Sequence, residues 1–306
     1  MALVQPEFTK ITSGIVGSEG PVFDKTGTLY VVAPTANMEG DKFGGQVLKV
    51  DIEQKQANVL CLPVINGDGG APAGCQCDKD GNIMIADMRL GILKVQSNGH
   101  YTQICQVDDE GNIMQGCNDC HYDYYGNLWV TAPAGKIAPH PYTRSMEEAF
   151  GSLYCLTTEG EVKKVATDIQ FPNGLAVQHD SDGKPKILVV AETPTKLLLA
   201  FDITSDNQLE NRREWGKMPG DLEGGADGMD FDEDGNLLVA HWGSGHIEVF
   251  GPDGGKPRQR IKCPFQKISN LHFVPKSKTV YVTEHDDDAL WKFTWERPGK
   301  PQYCEL

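Results

Sequence analysis

Residues 227–236, "DGMDFDEDGN", concentrate five of the chain's acids in ten positions. From Asp230 they run D-x-D-x-D-G, the opening of a helix-flanked calcium loop. Such a loop needs a bidentate carboxylate at its twelfth position, and His241 stands there. The run that follows, "NLLVAHW", is apolar and strand-like rather than helical. Asp232 and Asp234 therefore read, with Gly235, as a solvated hairpin turn, while Asp227 and Asp230 can act with partners far away in the sequence. Glu19, Asn118, Asn173 and Asp227 are hard oxygen donors. Brought to one axis they suit Ca²⁺, which takes 6–8 oxygens and leaves positions for water or substrate. Asp230 and His272 form a second candidate set. They can hold another ion with backbone carbonyls and water, or plug the axis as an Asp–His pair. The "CQC" and "CNDC" pairs lie inside strand-like segments without matched knuckles, so all nine cysteines read as small buried thiols of a reducing cytosol.

A repeat supplies the axis. Segments 20–34, 74–88, 119–133, 174–192, 228–242 and 270–285 each read as an alternating strand, a turn rich in Asp, Gly or Lys, and a second strand ending near Val and a small residue. A third strand follows each, as in "GQVLKVD" at 45–51 and "ALWKFTW" at 289–295. Five units add a fourth, and the N-terminal "EFTKIT" at 7–12 is free to complete the sixth. The pattern predicts an all-β, six-bladed β-propeller of four-stranded antiparallel blades, closed by that N-terminal strand, with residues 1–306 as one domain. "TRSMEEAF" at 143–150 is the clear helical candidate.

Aligning the repeats on Phe23, Cys77, Tyr122, Val177, Phe231 and Phe273 places Glu19, Ala73, Asn118, Asn173, Asp227 and Ser269 in one column. Equivalent positions face a common channel. Without a cation, Glu19 and Asp227 would repel each other there. A second column, one residue before the aligned one, carries Val22, Gln76, His121, Ala176, Asp230 and His272.

Composition narrows the partners. A formal charge of −15 repels nucleic acid, and neither a membrane-length apolar run nor a signal-peptide pattern occurs. A cytoplasmic, monomeric protein acting on a small molecule is expected.

The motifs "SEGPVFD", "MQGCNDC", "FPNG", "VAETPTK", "EGGADGMDFDED" and "TEHDDDALWKF" resemble the squid-type, calcium-dependent phosphotriesterases of the diisopropylfluorophosphatase kind. These lie within the gluconolactonase, regucalcin and luciferin-regenerating superfamily, and the resemblance runs over essentially the whole chain. It implies two Ca²⁺. A catalytic ion falls on Glu19, Asn118, Asn173 and Asp227, and a structural ion on Asp230, the carbonyl of Leu271, and His272. It also implies a pocket walled by Met88, Tyr142, Arg144, Phe171, Thr193, Trp242, Ser269 and His285, with Asp119 and Asn270 orienting ligands or a water. The implied activity is hydrolysis of organophosphorus triesters and fluoridates, cleaving P–F or P–CN bonds. Asp227 then acts as nucleophile or directs a water, with a calcium-dependent lactonase or a non-catalytic binding propeller as rival readings. Two departures stand out: His241 occupies a position where the family has Asn, implying altered pocket polarity, and the chain stops at "QYCEL" without the longer tail, implying weaker closure.

Overall fold

The hairpin turns show why the repeat folds as it does. In a computed structural model describing residues 1–40, 42–112, 114, 116–133 and 148–306, each acidic turn closes on its own backbone. Asp232 Oδ1 accepts the N–H groups of Asp234 at 3.1 Å and Asn236 at 2.8 Å. Asp24, Asp78, Asp123 and Asp180 repeat this two-donor pattern. Such Asx turns reverse the chain between strands at fixed register.

The strand following each turn is covered on both faces, which explains its unbroken apolar character. Leu29–Ala33, Ile83–Asp87 and Leu128–Ala132 are buried at every position. Outer strands such as Gln56–Cys61 and Leu209–Lys217 are largely exposed and carry polar or charged side chains that blunt the sheet edge. Four sheets have four strands each. The largest has nine, where two runs of four meet at a bridge between Gly216 and Gly255 and Ala2–Val4 adds alongside Gly254–Lys262 in parallel. That parallel strand, and the small hairpin of Val64–Ile65 with Asp68–Gly69, were not foreseen from the repeat. Thr9–Ser13 pairs antiparallel with Ala289–Thr294, in the place expected for the N-terminal segment.

The first strands of these runs are Glu19–Phe23, Pro72–Cys77, Cys120–Tyr122, Pro172–His179, Gly225–Phe231 and Ile268–Phe273. Each contacts the next, and the last contacts the first. Apolar side chains fill the space between neighbouring sheets. One cluster joins Leu238, Ile247 and Ile261 to Leu271, Val282 and Phe293, and another joins Phe23 and Val31 to Ile11, Tyr281 and Leu290. Most of the helical candidate at 143–150 lies outside the described residues, and its described end, 148–150, is not helical. Among the described residues no helix is long and apolar enough to cross a membrane.

Candidate metal centre and substrate pocket

Glu19, Asn173 and Asp227, on three of these first strands, and Asn118, two residues before a fourth, together line a cavity of about 440 Å³. Phe171, Thr193, Pro194, Trp242, His285 and the backbone of Gly224 and Gly225 line the rest of it. This is the size and make-up of a small-molecule site, with apolar walls and a few convergent polar groups. Asn118, Asn173 and Asp227 are all below a tenth exposed. Burial, then the charges of Asp227 and Asp119, hold the Glu19 carboxyl well above the usual range. Burial and the charge of Asp119 do the same to Asp227, while Asn173 and the Gly228 N–H hydrogen-bond its carboxylate. Two like charges held in a dry site cost several kcal/mol unless neutralised, so this oxygen set fits a hard cation. Among the described residues no three His, Cys, Asp or Glu side chains are grouped to hold a metal. The convergent set has only two acids, and carboxamides complete it.

The column following these donors reads Gly20, Gly74, Asp119, Gly174, Gly228 and Asn270, a pattern the sequence reading missed. Its reason is steric. A Cβ on Gly74 would lie 2.1 Å from Asp119 Oδ1, and one on Gly228 would lie 2.0 Å from Asn270 Oδ1. The glycines make room for two polar side chains that meet behind the oxygen set, with Asn270 Nδ2 donating to Asp119 Oδ2 at 3.4 Å. Cys120 N–H donates to Asp119 Oδ1 at 2.8 Å, and Leu271 N–H to Asn270 Oδ1 at 2.8 Å. Burial raises Asp119 to about 7. Both residues stand where they can orient the donors, since Asn270 also hydrogen-bonds Glu19.

In the wall, Trp242 Nε1–H donates to His285 Nδ1 at 3.2 Å. That leaves the proton of a neutral imidazole on Nε2, which faces Glu19 Oε1 at 3.9 Å. Burial lowers the His285 pKa, so the neutral form prevails. His285 thus presents an N–H to the site rather than a basic lone pair. Phe171 holds its ring in place from a left-handed backbone at φ 43°, a costly conformation for a bulky residue.

Other expected pocket residues fall elsewhere. Met88 is buried with Phe43, Ala71 and Ala73. Ser269 is fully buried, its hydroxyl donating to the Ser18 carbonyl at 2.7 Å. Neither lines the cavity. Tyr142 and Arg144 lie outside the described residues. His241 does not reach the pocket: it is fully buried and points its Nδ1 at Glu248 Oε1, 3.3 Å away, which Arg260 also holds at 2.8 Å. The expectation that it alters pocket polarity therefore fails, because its ring faces the neighbouring strand.

Asp230, His272 and Leu271 meet Asp119 and Asn270 around a separate space of about 10 Å³. His272 Nδ1 lies 3.5 Å from Asp230 Oδ2. Burial lowers His272 to about 4 and raises Asp230 to about 7, which does not favour an Asp⁻–HisH⁺ plug. His272 Nε2 is buried without a hydrogen-bond partner. An orphaned nitrogen near a buried carboxylate whose hydrogen-bond donors are all neutral fits a second cation. Asp232 and Asp234 belong elsewhere, Asp232 saturated within its turn and Asp234 paired with Arg297 on the surface at 2.9 Å. The cysteines are all free and mostly buried, and burial pushes the thiols of Cys75, Cys117 and Cys120 up.

An all-β ring of sheets carrying a polar donor set beneath an apolar cavity defines the class, and comparison with known proteins agrees. The profile of the SMP-30/gluconolactonase/LRE-like region matches residues 17–286, and the chain belongs to that family. It is 59% identical over 304 residues to the diisopropyl-fluorophosphatase of Loligo vulgaris, covering 99% of this chain and 96% of that one. The likeness to diisopropylfluorophosphatase expected from the motifs is thus borne out. The gluconolactonase of Zymomonas mobilis is 25% identical over 285 residues, covering 89% of this chain and 77% of its own. In fold, the chain matches a solved structure of a calcium-binding protein, regucalcin, from Agrobacterium tumefaciens, with TM-score 0.77, 18% identity and coverage of 100% and 99%.

Proposed function

We propose that the protein is a calcium-dependent hydrolase of organophosphorus triesters and fluoridates, built as a single six-bladed β-propeller. The observation that carries this is the buried, doubly acidic oxygen set at the base of an apolar cavity, in a chain 59% identical to a diisopropyl-fluorophosphatase. Glu19, Asn118, Asn173 and Asp227 would hold the catalytic ion, and Asp230, the Leu271 carbonyl and His272 a structural one. Calcium bound in the upper set would supply Lewis acidity toward a phosphoryl oxygen and neutralise the two carboxylates.

The chain's own residues supply the rest. Phe171, Pro194 and Trp242 bury the ester alkyl groups and exclude water. Asn173 and the Gly228 N–H fix the Asp227 carboxylate, so that one oxygen attacks phosphorus as fluoride or cyanide leaves with the bonding pair. Water then attacks the carboxyl carbon of the aspartyl phosphate and its C–O bond to the phosphoryl group breaks, restoring Asp227 with one oxygen from water and releasing the acid product. In the alternative, Asp227 takes a proton from the attacking water. His285, with its N–H toward the site, orients rather than accepts. Single-turnover hydrolysis in ¹⁸O-water tests this route: label appearing in Asp227 supports attack followed by C–O cleavage, and label only in the product excludes that sequence.

The match to a gluconolactonase favours a lactonase as the second reading. Comparing fluoride release from a fluorophosphate with lactone opening, before and after chelation, ranks the two. Fluoride release that continues unchanged after complete calcium removal would refute the central proposal. The free, mostly buried cysteines suit a cytoplasmic monomer.

A further inference from the structure

Beyond Asp119 and Asn270, two spaces of about 10 Å³ each share His121 and Asp230. The first is the candidate lower cation site. The second is lined by a stretch that belongs to no sheet, including Lys300, Pro301, Gln302 and Tyr303. After its last strand the chain runs across the ends of other sheets, tied at each crossing. Glu233 N–H donates to the Pro298 carbonyl at 2.9 Å, and Lys300 N–H to that of Phe231 at 2.9 Å. Tyr124 Oη donates to the Pro301 carbonyl at 2.8 Å, and the Tyr303 ring lies 4.7 Å from that of Tyr122. Cys304 is buried in the cluster that contains Cys77.

From this crossing Gln302, only 7% exposed, reaches Asp230. Its Nε2 donates to both carboxylate oxygens, at 3.1 and 3.3 Å. The remaining donors are backbone: Phe231 N–H to Oδ1 at 2.9 Å and Phe273 N–H to Oδ2 at 3.3 Å. Gln302 is itself fixed, since its N–H donates to Glu305 Oε2 at 2.8 Å while Glu305 N–H returns to its carbonyl at 2.9 Å.

We propose that residues 298–304 form a strap that closes this end of the channel, and that Gln302 is a positioning residue holding Asp230 for the buried cation and slowing that ion's exchange. The inference rests on the two-cation reading above. Orientation by a neighbouring hydrogen bond governs how tightly a ligand holds its metal. Removing the carboxamide also opens the second space toward solvent.

The test reads ion release, not turnover. Calcium-loaded protein is mixed with a fluorescent chelator, and the wild type is expected to release two ions, one fast and one slow. Gln302→Ala is expected to speed the slow phase about tenfold or more, as loss of a charge-assisted hydrogen bond implies, and to leave the fast phase unchanged. Tyr124→Phe loosens the strap without touching Gln302 and should speed the slow phase by a smaller factor. If Gln302→Ala does not fold, Gln302→Met, of similar length without the amide, reads the same phase. Two ions released with a slow phase indifferent to Gln302, in a variant that melts as the wild type does, overturn this inference alone. A single ion released by the wild type overturns the two-cation reading and this inference with it.

Discussion

Asp227 and Asp232 stand five residues apart in one acidic stretch, yet their surroundings are opposite. Asp232, at the hairpin turn, receives two backbone N–H groups, the amide of Asn236 and the indole N–H of Trp295 at 3.0 Å. Every donor comes from this chain, and the charge is spent on holding the turn. Asp227, on the first strand, shares a buried cavity floor with Glu19 and feels the charge of Asp119. One carboxylate is satisfied by the fold; the other is left wanting a positive partner. A functional acid is therefore recognised here by what its environment withholds.

The sharpest way to break the comparison is to neutralise each acid in turn. Asp227→Asn keeps shape and most hydrogen bonds, and should lower the rate of fluoride release by roughly 10³-fold or more, as loss of a nucleophile does. The same change should raise the melting temperature of chelated protein, because it removes a buried, repelled charge. A chelated variant that melts lower than wild type would show that Asp227 is held by the fold after all.

A pH series separates the two kinds of acid next. Asp119 and Asp230 are raised by burial to about 7, against about 4 in an unfolded chain. Between those values these two groups bind more protons in the folded protein than in the unfolded one, so their contribution to the stability of chelated protein falls as pH rises from about 4 to about 7. The lowered histidines His121 and His272 contribute the opposite slope up to about 6.5. Calcium prefers the ionised groups and should reverse the trend. Melting curves at pH 5 and pH 8, in EDTA and in saturating calcium, on the wild type and on Asp119→Asn, test this: the chelated variant should lose less stability, or gain more, between pH 5 and pH 8 than the wild type, and an identical pH difference in the two contradicts it.

Asp232→Ala should act the other way round. It strands the Trp295 indole and the turn amides, at a cost of about 2–3 kcal/mol in chemical denaturation. Turnover by the folded fraction should be unchanged.

The comparison also shows what the sequence could disclose. Strand order and the oxygen column follow from a period of alternation and turn chemistry, so Glu19, Asn118, Asn173 and Asp227 could be aligned without coordinates. The glycine column was equally visible, but its meaning is steric and depends on where Asp119 and Asn270 turn. His241 shows the opposite limit. It precedes Trp242, which lines the cavity, and alternation along a strand sends the two side chains to opposite faces. Applying that period at this position would have directed His241 away from the pocket. Gln302 could not be found by register at all, because the strap that carries it lies outside the repeat.

The smallest predicted effect concerns the cavity wall. If His285 were a general base, His285→Phe would cost on the order of 10²–10⁴ in rate and remove a limb of the pH profile. The hydrogen bond from Trp242 to Nδ1 argues for a wall role instead. His285→Phe should then retain kcat within about tenfold and keep the profile's shape, with KM moving more than kcat. Trp242→Phe, which keeps an aromatic wall but withdraws the indole N–H, should raise KM by only a few fold, consistent with about 1 kcal/mol for one neutral hydrogen bond. A shifted pH profile in Trp242→Phe would mean that freeing Nδ1 had changed the imidazole's proton chemistry at the site, and would return His285 to the list of acid–base candidates.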